Sequence, residues 1–167
     1  PKTPRRQRQM CIRDSFNGNA NGVQGEVPAT ANNISYQTGI QGQGVYLGNN
    51  NFLEYETANN LNDQVGTLEF WIKPDWNGND GQNHYVLFNW GGSSGMAFGK
   101  DAGNNWRGIL NLFGLGQGPE VGVSYHVGDK WNAGDWHFAA FTWDAESFKM
   151  YVAVSYTHLT LPTRCLV

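Results

Sequence analysis

The sequence predicts an all-β fold in which two antiparallel sheets stack around one core. Three runs carry the expectation: residues 67–71 (TLEFW), continuing through Ile72, Lys73 and Pro74; residues 136–144 (WHFAAFTWD); and residues 148–152 (FKMYV). Each is dense in aromatic and β-branched residues and bounded by Gly, Asn, Asp or Pro, the pattern of strands in a layered β domain. No segment sustains apolar residues at helical spacing for several turns. Where apolar residues continue without alternation, as at 138–141 (FAAF), a strand covered on both faces is expected. The 22 glycines and abundant asparagines punctuate these runs and do not form one low-complexity block, so they read as turns.

Taken in order, Phe16 opens the first apolar position and 17–33 reads mostly as loop. Residues 34–38 form a strand, 39–44 a turn, and 45–47 and 52–56 are strands flanking a turn at 48–51. Residues 58–63 have cap-like side chains but little length, which predicts a short helical turn. The strand at 68–73 is ended by Pro74, which cannot donate to a ladder. A polar loop, 75–83 (DWNGNDGQN), leads to strands at 85–90, 96–99, 108–113 and 121–126. Residues 114–119 and 127–135 are connections, and 136–143 with 148–152 make a hairpin around 144–147. No repeat at solenoid or propeller spacing is present.

The two ends read differently from the middle. Residues 5–14 (RRQRQMCIRD) can be encoded as CGT CGG CAG CGT CAG ATG TGT ATA AGA GAC. The reverse complement of that word translates in frame to VSYTHLTLPT, which is the sequence of residues 154–163. The word also resembles a transposon adapter used in sequencing libraries. Residues 1–15 and 154–167 are therefore expected to be translated adapter, and residues 16–153 the natural domain, cut short at its C-terminal side. Residues 154–161, being β-prone, predict a spurious strand continuing the last natural one.

This division changes the charge argument. Of the 11 basic residues, Lys2, Arg5, Arg6, Arg8, Arg13 and Arg164 lie in the flanks, whereas only Asp14 of the 14 acidic residues does. The middle is left with 5 basic and 13 acidic residues, a net charge of −8. A basic terminus that would suggest nucleic-acid binding disappears, and an acidic domain disfavours polyanions. Both cysteines, Cys11 and Cys165, also lie in the flanks, so neither a native disulfide nor a cysteine-ligated zinc is supported. No apolar run approaches the roughly 20 residues of a membrane-spanning helix.

The strand signatures resemble the laminin-G-like branch of the concanavalin A-like lectin/glucanase jelly rolls. In that family a strand of the type F-W-I/V-K-P is followed by W-H-x-x-A-x-T-W/Y-D and then K-x-Y-V. Phe70 to Pro74, Trp136 to Asp144 and Lys149 to Val152 follow those patterns, and Gly39, Gly42, Gly44, Val45 and Leu47 follow an earlier glycine-rich one. The resemblance implies an antiparallel two-sheet jelly-roll sandwich. The family's further strands after K-x-Y-V are missing, so the sandwich is expected to be incomplete there, with an exposed edge prone to aggregation.

The fold hosts binding modules and enzymes alike. Glucanases of this fold carry an E-x-D-x-x-E type strand, since glycoside hydrolysis uses two carboxyl groups around the scissile oxygen. Glu54 and Glu56 share a strand face but have no third acidic residue in register, and with Glu69 they read as solvated charges. His84, His126, His137 and Arg107 match no lyase spacing, and His137 has a structural hydrogen-bonding role as its expected reading. There is no G-x-S-x-G, H-E-x-x-H or phosphate loop.

Binding chemistry is better supplied. Of the seven tryptophans, Trp71, Trp136 and Trp143 fall in strand signatures and read as core. Trp76, Trp106 and Trp131 fall in polar loops, where an exposed indole stacks on a sugar face while amides bond its hydroxyls. Asn104, Asn105, Trp106 and Arg107 form the leading cluster and Asp75, Trp76 and Asn77 the next, with Trp131 a further loop candidate; the alternative is that these tryptophans cap the ends of the sandwich. The resemblance also implies calcium, which takes six to eight oxygens. Asn77, Asn79, Asp80 and Asp101 are the candidate ligands, although Asn/Asp-Gly loops are more often plain turns.

The sequence thus points to a non-catalytic carbohydrate-binding or adhesion module of a larger extracellular or cell-surface protein, bacterial in origin. Its expected partner is a glycan or a matrix or surface protein. A glycoside hydrolase or polysaccharide lyase of the same fold, and a purely structural spacer, are the alternatives.

Overall fold

The computed structural model describes residues 16–22, 25–48, 50–56, 62, 64–91, 94–111 and 120–153. Both expected adapter flanks lie outside these residues, as do the strand at 154–161 and all of the helical turn at 58–63 except Asn62. Among the described residues every regular element is a strand, and every strand pair is antiparallel. The chain divides into two compact units between Leu61 and Asn62.

The first unit holds four short strands: β1 (Thr30–Asn32), β2 (Ser35–Thr38), β3 (Gln43–Tyr46) and β4 (Phe52–Glu54). β2 and β3 form a hairpin closed by Gly39 N–H donating to Gly42 O, with Gly42 at φ 67°. β1 pairs with β4. The sequence reading placed 17–33 in a loop and so missed β1. Its residues, TAN, carry no apolar alternation, and only pairing with β4 makes them a strand. Tyr55 Oη donates to Ala20 O at 2.6 Å and anchors the start of the unit.

The second unit contains β5 (Gly66–Ile72), β6 (His84–Gly91), β7 (Ser94–Lys100), β8 (Asn105–Asn111), β9 (Glu120–His126), β10 (His137–Trp143) and β11 (Phe148–Ala153). They make a three-stranded sheet, β11-β10-β5, and a four-stranded sheet, β6-β7-β8-β9. The sheets face each other across an aromatic core. Phe98 of β7 meets Phe141 of β10 at 4.2 Å between ring centroids, and Phe70 of β5 meets Trp106 of β8 at 6.2 Å. Gly108 sits opposite these rings; a Cβ there would lie 2.6 Å from Phe141. This is the two-layer antiparallel sandwich the sequence predicts.

The continuous apolar run at 138–141 is explained by its place. β10 is the central strand of its sheet, and Ala139, Ala140 and Phe141 are all buried. Trp143 is buried as well, and its indole N–H donates to Asn62 O at 2.9 Å. Trp71, by contrast, is half-buried on the outer face of the sheet, against Phe138 at 5.3 Å. Alternation along β5 turns Leu68 and Phe70 inward and Trp71 outward. The β10–β11 hairpin closes as expected: Asp144 Oδ1 accepts from Glu146 N, Ser147 N and Ser147 Oγ. Those bonds hold the Asp144 carboxyl below the usual carboxylate range.

Candidate functional site

The residues singled out from the sequence gather at one end of the second unit. Asp101 leads from β7 into β8 through a tight turn in which Asn104 N donates to Asp101 O at 3.0 Å. Asn104 adopts φ 64°, which asparagine tolerates better than most residues. Asp101 Oδ1 accepts from Asn105 N at 2.9 Å, and Asn105 Nδ2 also reaches this carboxylate. Asn104 Oδ1 accepts from Gly81 N at 3.0 Å, tying the 75–83 loop to the turn. Asn77 Oδ1 accepts from Ala133 N at 2.9 Å, and Gly78 N donates to Trp131 O at 2.8 Å. Asn79 is exposed on this loop. Asn77 and Asn104 thus hold loops to one another, and Asn105 braces its own turn.

The tryptophans correct the sequence reading. Trp106 and Trp131 are 0% and 1% exposed, so neither presents a face to a ligand. β8 begins at Asn105, three residues earlier than its expected start, and its alternation points Trp106, Gly108 and Leu110 into the core. Trp131 lies in the turn after β9 and packs on Trp106 at 4.7 Å. Four rings form a column: His84 on Trp76 at 4.5 Å, Trp76 on Trp131 at 6.0 Å, and Trp131 on His137 at 4.2 Å. Trp76 is half-buried within that column. The tryptophans therefore cap the sandwich end, the alternative noted from the sequence.

His137 also departs from expectation. It is fully buried by packing, and neither ring nitrogen has a hydrogen-bond partner among the described residues. Burial pushes its pKa below the ordinary histidine value, against the opposing pull of the Asp135 carboxylate and of the Asn132 backbone, which lies outside good hydrogen-bonding geometry. It is a flat packing surface for Trp131 and not a hydrogen-bonding post.

Beneath Trp76 lies a charged cluster. Lys100, at the end of β7, has a side chain with no exposed surface. Its Nζ donates to Asp80 Oδ1 at 2.6 Å, Gln82 O at 3.0 Å and Asp101 O at 3.3 Å. His84 Nε2 lies 2.6 Å from Asp80 Oδ2. Burial alone would raise the Asp80 pKa; the Lys100 ammonium, the Gln82 N–H and His84 together override it and hold the carboxyl far below its usual range. Among the described residues there is no group of three or more His, Cys, Asp or Glu side chains placed to hold a metal ion.

One sequence-predicted residue sits elsewhere. Arg107 follows Trp106 in β8, so alternation turns it to the outer face of the four-stranded sheet. There the register sets out a cross-strand row: Tyr85, Gly99, Arg107, Ser124. The adjoining row runs Phe88, Ala97, Ile109, Gly122. Tyr85 and Phe88 are 65% and 63% exposed and meet edge to face at 5.7 Å. A bulge at Val86 turns both onto this face, since one extra residue resets the alternation. Gly99 and Ala97 form a low, buried floor beside the aromatic pair. The Arg107 guanidinium lies over Gly122, within 3.8–3.9 Å of where a Cβ would stand, and with Asp101, Val123 and Ser124 borders a shallow depression.

The result is an open trough with aromatic rings along one side and a guanidinium, a hydroxyl and a carboxylate along the other. Tyr85 and Phe88 escaped the sequence analysis because 85–90 reads simply as a strand; only the bulge places both on the open face. Glu54 and Glu56 are exposed in the first unit, and Glu69 is exposed on the outer face of the three-stranded sheet. No described helix is long and apolar enough to cross a membrane.

Comparison with known proteins agrees with this architecture. A laminin G family model of the concanavalin A-like lectin/glucanases superfamily matches residues 47–155, from the end of the β2–β3 hairpin through β11. No curated protein and no solved structure matches the chain. An antiparallel aromatic-cored sandwich and a family match over most of the chain lead to one conclusion: the chain belongs to the concanavalin A-like lectin/glucanase superfamily, in its laminin-G-like branch.

Proposed function

We propose that this domain is a non-catalytic carbohydrate-binding module of a larger extracellular or cell-surface protein, and that the glycan lies in the trough on the outer face of the four-stranded sheet. The observation that carries this reading is the adjacent pair Tyr85 and Phe88, each mostly exposed, on a strand face that also bears Arg107 and Ser124. Large aromatic rings held open to water are costly unless they meet an apolar partner. The apolar face of a sugar ring suits them, while guanidinium and hydroxyl groups bond its hydroxyls. The row from Tyr85 to Ser124 crosses four strands, a span of roughly 14 Å at the usual strand spacing. That favours an extended oligosaccharide over a single sugar. Binding involves no covalent step.

A glycan array probed with and without EDTA tests the reading, followed by titration calorimetry of the strongest hit. Tyr85→Ala and Phe88→Ala should each weaken binding about three- to tenfold, in keeping with roughly 0.5–1.5 kcal/mol for a lost ring contact. Their unfolding midpoints should barely change. Silence on every glycan, or full affinity in the double variant, would remove the proposal.

A further inference from the structure

Calcium is the ion the family resemblance implies, and the oxygens at the sandwich end are where this chain would hold it. Asp80 Oδ1, Gln82 O and Asp101 O converge there, drawn from the 75–83 loop and the turn before β8. They converge on Lys100 Nζ, at 2.6, 3.0 and 3.3 Å. An ammonium has three donors and no acceptor, so three oxygens match its capacity. The Trp76 ring, 5.8 Å away, adds a fourth attractive surface. The second Asp80 oxygen is taken by His84, and the Asp101 carboxylate by Asn105. A calcium ion needs six to eight oxygens and would have to displace an ammonium that has no exposed surface. The residues present do not fit it.

We propose that Lys100 is a built-in cation: its ammonium fills the space among these three oxygens and clamps the two loops without a metal ion. A buried charge persists only when paired and hydrogen-bonded, and this one is. The clamp is covalently part of β7 and is therefore present at any calcium concentration. Ordering of this end of the sandwich, and of the aromatic column above it, is then independent of divalent ions.

Melting the protein in millimolar calcium and in EDTA, with terbium luminescence sensitised by tryptophan as a direct ion probe, tests this without any glycan. The parent chain should melt at the same temperature in both media, within about 1 °C, and give no sensitised terbium emission. Lys100→Met should melt about 5–10 °C lower in either medium, the shift of a loss of one to two buried interactions in a domain of this size. Lys100→Ala, which leaves the same three oxygens with no cation, should also melt lower and regain none of the loss in calcium, since three oxygens are too few for that ion. A parent chain that gains several degrees from calcium or lights terbium overturns the proposal. So does a Lys100→Met chain as stable as the parent, or a Lys100→Ala chain whose stability calcium restores. If the variants do not fold, the parent measurements decide alone.

Discussion

Trp131 decides between core and ligand platform, because the two roles predict opposite results for one substitution. The side chain is 1% exposed and touches three rings: Trp106 at 4.7 Å, Trp76 at 6.0 Å and His137 at 4.2 Å. A buried tryptophan removes about 150–250 Å² from water, which at about 25 cal/mol/Å² is roughly 4–6 kcal/mol. That is an upper figure, since denatured chains already hide some apolar surface. Trp→Ala substitutions in cores cost about 3–5 kcal/mol, and whole domains are stable by about 5–15 kcal/mol. Trp131→Ala should therefore lower the urea midpoint by about 1–5 M, at a typical m of about 1–3 kcal/mol/M. Trp131→Phe should cost less than half as much: it keeps a ring in the column and removes an indole N–H that has no hydrogen-bond partner among the described residues. On the proposed reading, with the glycan in the trough of the four-stranded sheet, folded Trp131→Ala protein should keep the parent's glycan affinity. A stability loss below about 1 kcal/mol, together with lost binding, would refute the burial argument.

The other predictions follow from the same geometry. His137 titrates below its ordinary 6.5 because burial disfavours its charge, so its contribution to stability is present above pH 6.5 and lost as pH falls below it; His137→Phe should flatten the melting temperature between about pH 7 and 5. Asp80 is depressed by Lys100, the Gln82 N–H and His84, so its contribution is present above its ordinary value of 3.8 and lost as pH falls further; acid unfolding followed by circular dichroism should lose this limb in Asp80→Asn. At Gly78 a Cβ would stand 2.1 Å from Val127 O, a backbone atom that cannot swing away, so Gly78→Ala should destabilise by about 1–3 kcal/mol in urea unfolding.

Much of the fold was legible because strand signals are local. The WHFAAFTWD run predicted a strand, and β10 is the middle strand of its sheet, with Ala139, Ala140 and Phe141 buried and the outward-facing Phe138 and Thr142 half-buried. Asp144 to Ser147 predicted a hairpin, and the Asp144 carboxylate closes it. β1 was not legible, since residues 30–32 have no pattern of their own and depend on β4. The site was harder. Starting β8 at Gly108 left Trp106 in a loop, whereas the strand includes it and turns it inward. Lys100 drew no attention as an isolated lysine, because its meaning rests on carbonyls of Gln82 and Asp101 that composition cannot reveal.

Periodicity and punctuation along the chain were enough to determine the class of the domain: antiparallel strands, polar turns and an aromatic core. They were enough because pleating and turn chemistry are properties of neighbouring residues. Which rings are core, which face is open and which cation holds the loops were decided only by tertiary structure. Parity flips with a one-residue bulge such as that at Val86, and oxygens from separate loops converge only once the sheets have stacked.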